Sequence, residues 1–223
     1  VREPAVDTTD VGMLIGIKAG APASPTPARI GIFRPSNGGW YLDTDGNGAW
    51  TEGVDQVISW GNSTDRPVVG DWNGNGTATI GVFRPSEGAW YLDVDGNGAW
   101  TVGVDRLIGW GGPGDLPVVG DWNGSGTTKL GVYRPATGTF YLDWDGDGAF
   151  TGADKSLLWS ADPADTPVLG DWTGSGTTKL GLYRPGTGIW TLDLDGNGLF
   201  DPATDAVVSW GGDPTDVPGV GRW

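Results

Sequence analysis

The sequence predicts an all-β protein: a four-bladed β-propeller of four 50-residue repeats, its ring closed by the C-terminal strand. Three observations carry that reading. Gly-Asp-Trp recurs at Gly70–Trp72, Gly120–Trp122 and Gly170–Trp172, Arg-Pro at Arg34, Arg84, Arg134 and Arg184, and Asp-x-Asp-Gly from Asp43, Asp93, Asp143 and Asp193. Each repeat reads as four short strands parted by turn residues, and no window carries a helical period. The C-terminal Pro218–Trp223 is a diverged copy of the first strand of a repeat, with no repeat after it.

The second repeat shows how the elements arise. Pro67–Trp72 is a short apolar run, and Asn73–Gly76 is a tight Asn/Gly turn. Ala78–Arg84 is the second strand, with Ile80, Val82 and Arg84 on one face and Phe83 on the other. Pro85 ends it, Ser86-Glu87-Gly88 turns the chain, and Ala89–Asp93 follows with Trp90 and Leu92 on a common face. The Asp-rich loop leads to the fourth strand, Arg106–Trp110.

The two ends complete the domain organisation. The first recognisable strand of repeat one is Ala28–Arg34, so that repeat lacks the counterpart of Pro67–Trp72. Pro218–Trp223 is expected to fill the gap, which sets the propeller at 28–223. Ile17–Gly20 falls at the same phase, so residues 1–27 are either a tether or a donor strand. As a donor it would add to a neighbouring subunit through Val11, Met13, Leu14, Ile15 and Ile17, and head-to-tail use of such a strand can build a filament.

Composition removes several functions. The net charge of −15 repels phosphate backbones and anionic lipid, which argues against nucleic-acid partners and membrane surfaces. The most apolar run, Val11–Ile17, is too short to insert across a bilayer. With no histidine, the usual general base and transition-metal ligand are missing. With no cysteine there is no disulfide framework. Every carboxylate cluster is repeated, whereas an active site is usually one asymmetric constellation, so no enzyme is expected.

The order of motifs in GDWNGNGTATIGVFRPSEGAWYLD resembles the FG-GAP/VCBS-type repeats of bacterial secreted and surface proteins. The resemblance spans residues 28–223. It implies a β-propeller, an extracellular or cell-surface setting, calcium in Asp-rich turns, and adhesion or ligand display. The turn after Gly-Asp-Trp departs from that pattern. It reads Asp71-Asn73-Asn75, then Asp121-Asn123-Ser125, then Asp171-Thr173-Ser175, with Thr79, Lys129 and Lys179 where the family has a later Asp. Hydrogen-bonded Asx turns account for it without metal.

The second Asp-rich loop keeps its charge. Positions one, three and five are Asp43, Asp45 and Asn47, then Asp93, Asp95 and Asn97, then Asp143, Asp145 and Asp147, then Asp193, Asp195 and Asn197. Glycine stands at six, where a calcium loop turns sharply, and the carbonyls of Ala49, Ala99, Ala149 and Leu199 stand at seven. Hard oxygen donors without His or Cys suit Ca²⁺. Asp55, Asp105, Asp154 and Asp205 each lie five residues before a Trp of the fourth strand. They are either the closing ligands or turn residues that open that strand.

Tryptophans at fixed phase (Trp40/Trp90/Trp190, Trp50/Trp100, Trp60/Trp110/Trp159/Trp210, Trp72/Trp122/Trp172/Trp223) are expected to form the core between blades. Trp144 replaces Thr44, Val94 and Leu194 and is the candidate for stacking on a sugar. Each Arg before Pro is expected to pair with an acidic group at a blade edge. The sequence thus leads to an extracellular, non-catalytic, calcium-stabilised structural or adhesive protein, with itself or a surface polysaccharide as partner. A lectin-like propeller is the alternative.

Overall fold

A computed structural model describes residues 28–160 and 162–221. The described residues form fifteen strands and no helix, so the all-β reading holds. The first sheet holds β1 (Gly31–Arg34), β2 (Gly39–Leu42) and β3 (Gln56–Ser59). The second is β4 (Arg66–Gly70), β5 (Thr79–Arg84), β6 (Ala89–Leu92) and β7 (Arg106–Gly109). The third is β8 (Leu116–Gly120), β9 (Lys129–Arg134), β10 (Thr139–Leu142) and β11 (Lys155–Leu158), and the fourth is β12 (Thr166–Gly170), β13 (Lys179–Arg184), β14 (Ile189–Leu192) and β15 (Ala206–Ser209). Each sheet is an antiparallel meander in chain order.

The hairpin β5–β6 illustrates why the strands turn where they do. Pro85 cannot extend the ladder, and Gly88 N–H closes the turn on the Pro85 carbonyl. Gly88 has φ of 61° and lies so close to Gly111 that a Cβ would stand 2.4 Å from its carbonyl oxygen. Only glycine fits there, and Gly38 and Gly188 occupy the same position in the first and fourth sheets.

Successive sheets pack face to face through the repeated aromatic and aliphatic positions. Trp40 and Trp60 of the first sheet bury Ile80 and Val82 of the second. Val68, Trp72, Trp90, Ile108 and Trp110 bury Leu130 and Val132 of the third. Trp122, Phe140 and Leu157 in turn bury Leu180 and Leu182 of the fourth. Indole N–H groups stitch these contacts, Trp60 Nε1 donating to Tyr91 O and Trp110 Nε1 to Tyr141 O. The tryptophans expected between sheets are there, apart from the exposed Trp50 and Trp100 and those of the fourth sheet.

Three of the four arginines pair as expected. Arg84, Arg134 and Arg184 each make a two-pronged contact with the buried carboxylates of Asp65, Asp115 and Asp165, at 2.7–2.9 Å. The stem that leads into a sheet is thereby clamped to that sheet's second strand.

The closing strand differs from expectation. Among the described residues β1 pairs with β2 alone, and 217–221 carry no strand. Pro218, Gly219 and Gly221 explain this locally. Where β4 has Pro-Val-Val-Gly, this segment has Pro-Gly-Val-Gly, which loses a β-branched residue and adds backbone entropy. The expected tether or donor strand of 1–27, with Val11, Met13, Leu14, Ile15 and Ile17, lies outside the described residues, as does Trp223.

Candidate metal centre

The Asp-x-Asp-Gly loop joins the last two strands of each meander, and the ladder between them brings its two ends together. In the second sheet Leu92 pairs with Arg106, so Asp93 and Asp105 are forced to be neighbours. Asp105 Oδ1 accepts the Val94 N–H at 2.8 Å, and its Oδ2 accepts that of Thr101 at 2.6 Å. Asp93 accepts the N–H groups of Gly96 and Gly98 at 2.8 and 3.0 Å.

The outcome is one carboxylate cluster per repeat: Asp43/Asp45/Asp55, Asp93/Asp95/Asp105, Asp143/Asp145/Asp154 and Asp193/Asp195/Asp205. In each, oxygens of all three carboxylates lie within 4.8 Å of one another. Donors held at 2.3–2.6 Å from one Ca²⁺ are at most about 5 Å apart, so the spacing fits a shared ion. Each bonded oxygen retains a second lone pair for it. Asp55, Asp105, Asp154 and Asp205 combine two positions. They cap the backbone that opens the next strand, and they belong to the cluster.

The fifth and seventh positions contribute differently. Asn47 Oδ1 accepts the Ala49 N–H, and the same bond joins Asn97 to Ala99, Asp147 to Ala149 and Asn197 to Leu199. The amide Nδ2 of Asn97 donates to Asp95 Oδ2 and to Thr101 Oγ1. These residues tie the loop shut, and Asp147 stands outside the cluster of its own loop.

The electrostatics are compatible with a cation. Burial pushes the carboxyls of Asp93, Asp143 and Asp193 above the ordinary aspartate range, and the charges of neighbouring aspartates add to the push. Asp43 is held below that range, because the N–H groups of Gly48 and Gly46 outweigh the upward push of burial. Among the described residues no Lys or Arg forms a salt bridge with any of these clusters. The third-position aspartates face solvent, which leaves an ion a way in.

The turn after Gly-Asp-Trp is built otherwise. Asp121 accepts the N–H groups of Ser125 and Gly126 at 3.0 and 2.8 Å, as an Asx turn should. The buried Lys129 then places its ammonium 3.3 Å from Asp121 Oδ1, donating as well to Ser125 Oγ and to both oxygens of Thr127. Lys179 repeats this with Asp171 Oδ1 at 3.5 Å, Thr173 Oγ1 at 2.8 Å and Ser175 Oγ. In the second repeat the uncharged Thr79 turns its hydroxyl to the Asp93 carbonyl instead. These internal ammonium ions were missed as functional groups, although their signal is plain: a lysine eight residues after the aspartate.

Trp144 is not a free stacking platform. Its indole is half-buried against the core between the third and fourth sheets, and Lys155 Nζ sits 3.4 Å from its ring centroid. That cation takes one π-face. Trp50, Trp100 and Phe150 are the exposed rings that recur at one phase, each edge-on to Tyr41, Tyr91 or Tyr141.

Comparisons of the chain with family models, curated proteins and solved structures return no match.

Proposed function

We propose that this chain is an extracellular, non-catalytic repeat module of β-propeller type, stabilised by Ca²⁺ and used as a structural or adhesive surface protein. The observation that carries it is the fourfold cluster of three aspartates, none of them in a salt bridge with a lysine or arginine among the described residues. Each cluster sits where two strands are forced together, so a bound ion would lock the meander of its sheet. The motif order shared with FG-GAP/VCBS-type repeats supports the same reading. So does the repetition: each carboxylate cluster has its counterparts in the other sheets, and the chain has no histidine.

The test is thermal melting in millimolar Ca²⁺ and in EGTA, with elemental analysis of dialysed protein. A ligand that binds only the folded state adds RT ln(1 + [L]/Kd), about 2.7 kcal/mol per loop at hundredfold saturation. A large upward shift in Tm with bound calcium is expected. Superimposable curves with no calcium in the protein remove the assignment.

A lectin-like function is the second reading, and the exposed row Trp50, Trp100 and Phe150 is what favours it. A cavity between the second and third sheets, lined by Arg106, Lys129, Asp143 and Asp145, is about 120 Å³. That is well below the roughly 300 Å³ at which ligand pockets begin, so a sugar would lie on the surface row. Glycan binding that is lost in Trp50→Ala and Trp100→Ala supports this reading, and absence of glycan binding removes it.

A further inference from the structure

The contact between successive sheets is made three times inside the chain, and its two halves are left over at the ends. One half consists of two aliphatic side chains on the second strand of a sheet. Ile80 and Val82 are 4% and 1% exposed, whereas their counterparts Ile30 and Ile32 are 68% and 53% exposed. The other half is the tryptophan after the last strand. Trp60 and Trp110 are 7% and 5% exposed, whereas Trp210 is 78% exposed.

The smaller features of the contact are split in the same way. A Cβ on Gly98 would stand 3.0 Å from Ile58, one on Gly148 3.2 Å from Ile108, and one on Gly198 2.7 Å from Leu157. Gly48, their counterpart, has nothing within 4 Å, and Val208, the counterpart of Ile58, is exposed. Trp60, Trp110 and Trp159 donate their Nε1–H to a carbonyl of the following sheet. Trp210 Nε1 has no acceptor among the described residues. Trp172 is half-buried where Trp72 and Trp122 are buried.

We infer that the face of the fourth sheet around Trp210 and Val208 seats the Ile30/Ile32 face of a second copy of this chain. The occupant follows from continuity: the missing half of each end face is the half that the other end presents, in the register already used three times. In the seated copy Trp210 lies against the copy's Ile32 with its Nε1–H on the Tyr41 carbonyl, and Val208 covers Gly48. Two different faces meet, so the contact is heterologous and grows head-to-tail unless it closes on itself. Burying this much aliphatic and indole surface is the same hydrophobic gain that holds the internal sheets together. The inference is independent of calcium and of any strand donated by residues 1–27.

The test uses the full chain at constant calcium, by light scattering and sedimentation over a hundredfold range of concentration. Wild type is expected to associate progressively. Trp210→Arg and Ile32→Arg each break one half of the contact at an exposed site, so each alone is expected to remain a folded monomer with an unshifted Tm. Mixed in equal amounts they retain one intact pair of faces and are expected to give a dimer that grows no further. A wild type that stays monomeric throughout overturns the inference, since the two faces then close within one chain. Loss of association on deleting residues 1–20, or a mixture of the two variants that remains monomeric, overturns it as well.

Discussion

Two aspartate-rich turns recur in this chain, and they solve one electrostatic problem in opposite ways. Both fold a carboxylate back onto two or more N–H groups and bury it next to further oxygen atoms. In the turns of Asp121 and Asp171 a lysine threads into the cradle and supplies the positive charge. In the Asp-x-Asp-Gly loops three carboxylates converge, and no lysine or arginine forms a salt bridge with them among the described residues. The first kind of turn is complete as an Asx turn with an internal cation. The second has the spacing to hold an ion from outside. A similar string of Asp, Asn and Gly therefore says little about metal until the residue that faces its open side is known.

The largest effect should come from breaking the internal cation. Lys179→Met leaves the buried Asp171 without its counter-charge, which costs roughly 3 kcal/mol for a buried pair. That loss is expected to be the same in Ca²⁺ and in EGTA. Lys129→Asp goes further and turns the cradle into a carboxylate cluster of the other kind. Its Tm in EGTA should fall by several degrees and recover in part with millimolar Ca²⁺, as chemical or thermal melts would show. Recovery by calcium of Lys179→Met but not of Lys129→Asp would contradict the comparison.

The complementary substitutions have effects that are smaller without calcium and conditional on it. Asp143→Ala removes one carboxylate from a repelling group of three, so in EGTA its cost is limited to the lost hydrogen bonds of Gly146 and Gly148, about 1–2 kcal/mol. In saturating Ca²⁺ the cost should grow by about one binding term, near 2.7 kcal/mol at hundredfold saturation. Asp171→Ala should show no such dependence on calcium. A double comparison of the two variants in both buffers, by equilibrium denaturation, separates the loops.

Most of the fold was legible in the sequence because the repeat fixes the phase of every element. The strands expected at Ala89–Asp93 and Arg106–Trp110 are observed at Ala89–Leu92 and Arg106–Gly109. The pairing of each Arg-Pro arginine was legible as a need, but its partner was not. Asp65, Asp115 and Asp165 lie nineteen residues before their arginines, on the stem between two sheets. The role of Asp105 was ambiguous for a physical reason. Its spacing follows the strand, yet the hairpin ladder carries it back to the start of the loop. Least legible were the open end faces, because Ile32 and Val82, or Trp210 and Trp110, are equivalent in the repeat and differ only in what packs against them. Trp144 was legible as an exception to the pattern. That a lysine one strand away covers it was not.

The smallest effect, and the one that tests the comparison without any substitution, is the response to acid. Burial pushes the Asp171 carboxyl up, but the N–H groups of Gly176 and Ser175, the Ser175 hydroxyl and the Lys179 charge outweigh it and hold the group at about 2. Its folded value lies below the unfolded one, so the stability it contributes is present above about pH 3.9 and is lost as the pH falls toward 2. Asp93, Asp143 and Asp193 lie on the other side, raised by burial and by the aspartates beside them. In EGTA their contribution is full below about pH 3.9 and is lost as the pH rises through their folded values. Without calcium, Tm should therefore rise as the pH is lowered from 7 to about 4 and fall below that. With calcium the upper limb should reverse, because protonation competes with the ion for the same oxygens. Scanning calorimetry from pH 3 to 7 in both buffers measures this directly. A Tm that falls steadily from pH 7 in EGTA as it does in calcium would mean that the clusters of Asp93, Asp143 and Asp193 carry no unbalanced charge, and the distinction between the two turns would be lost.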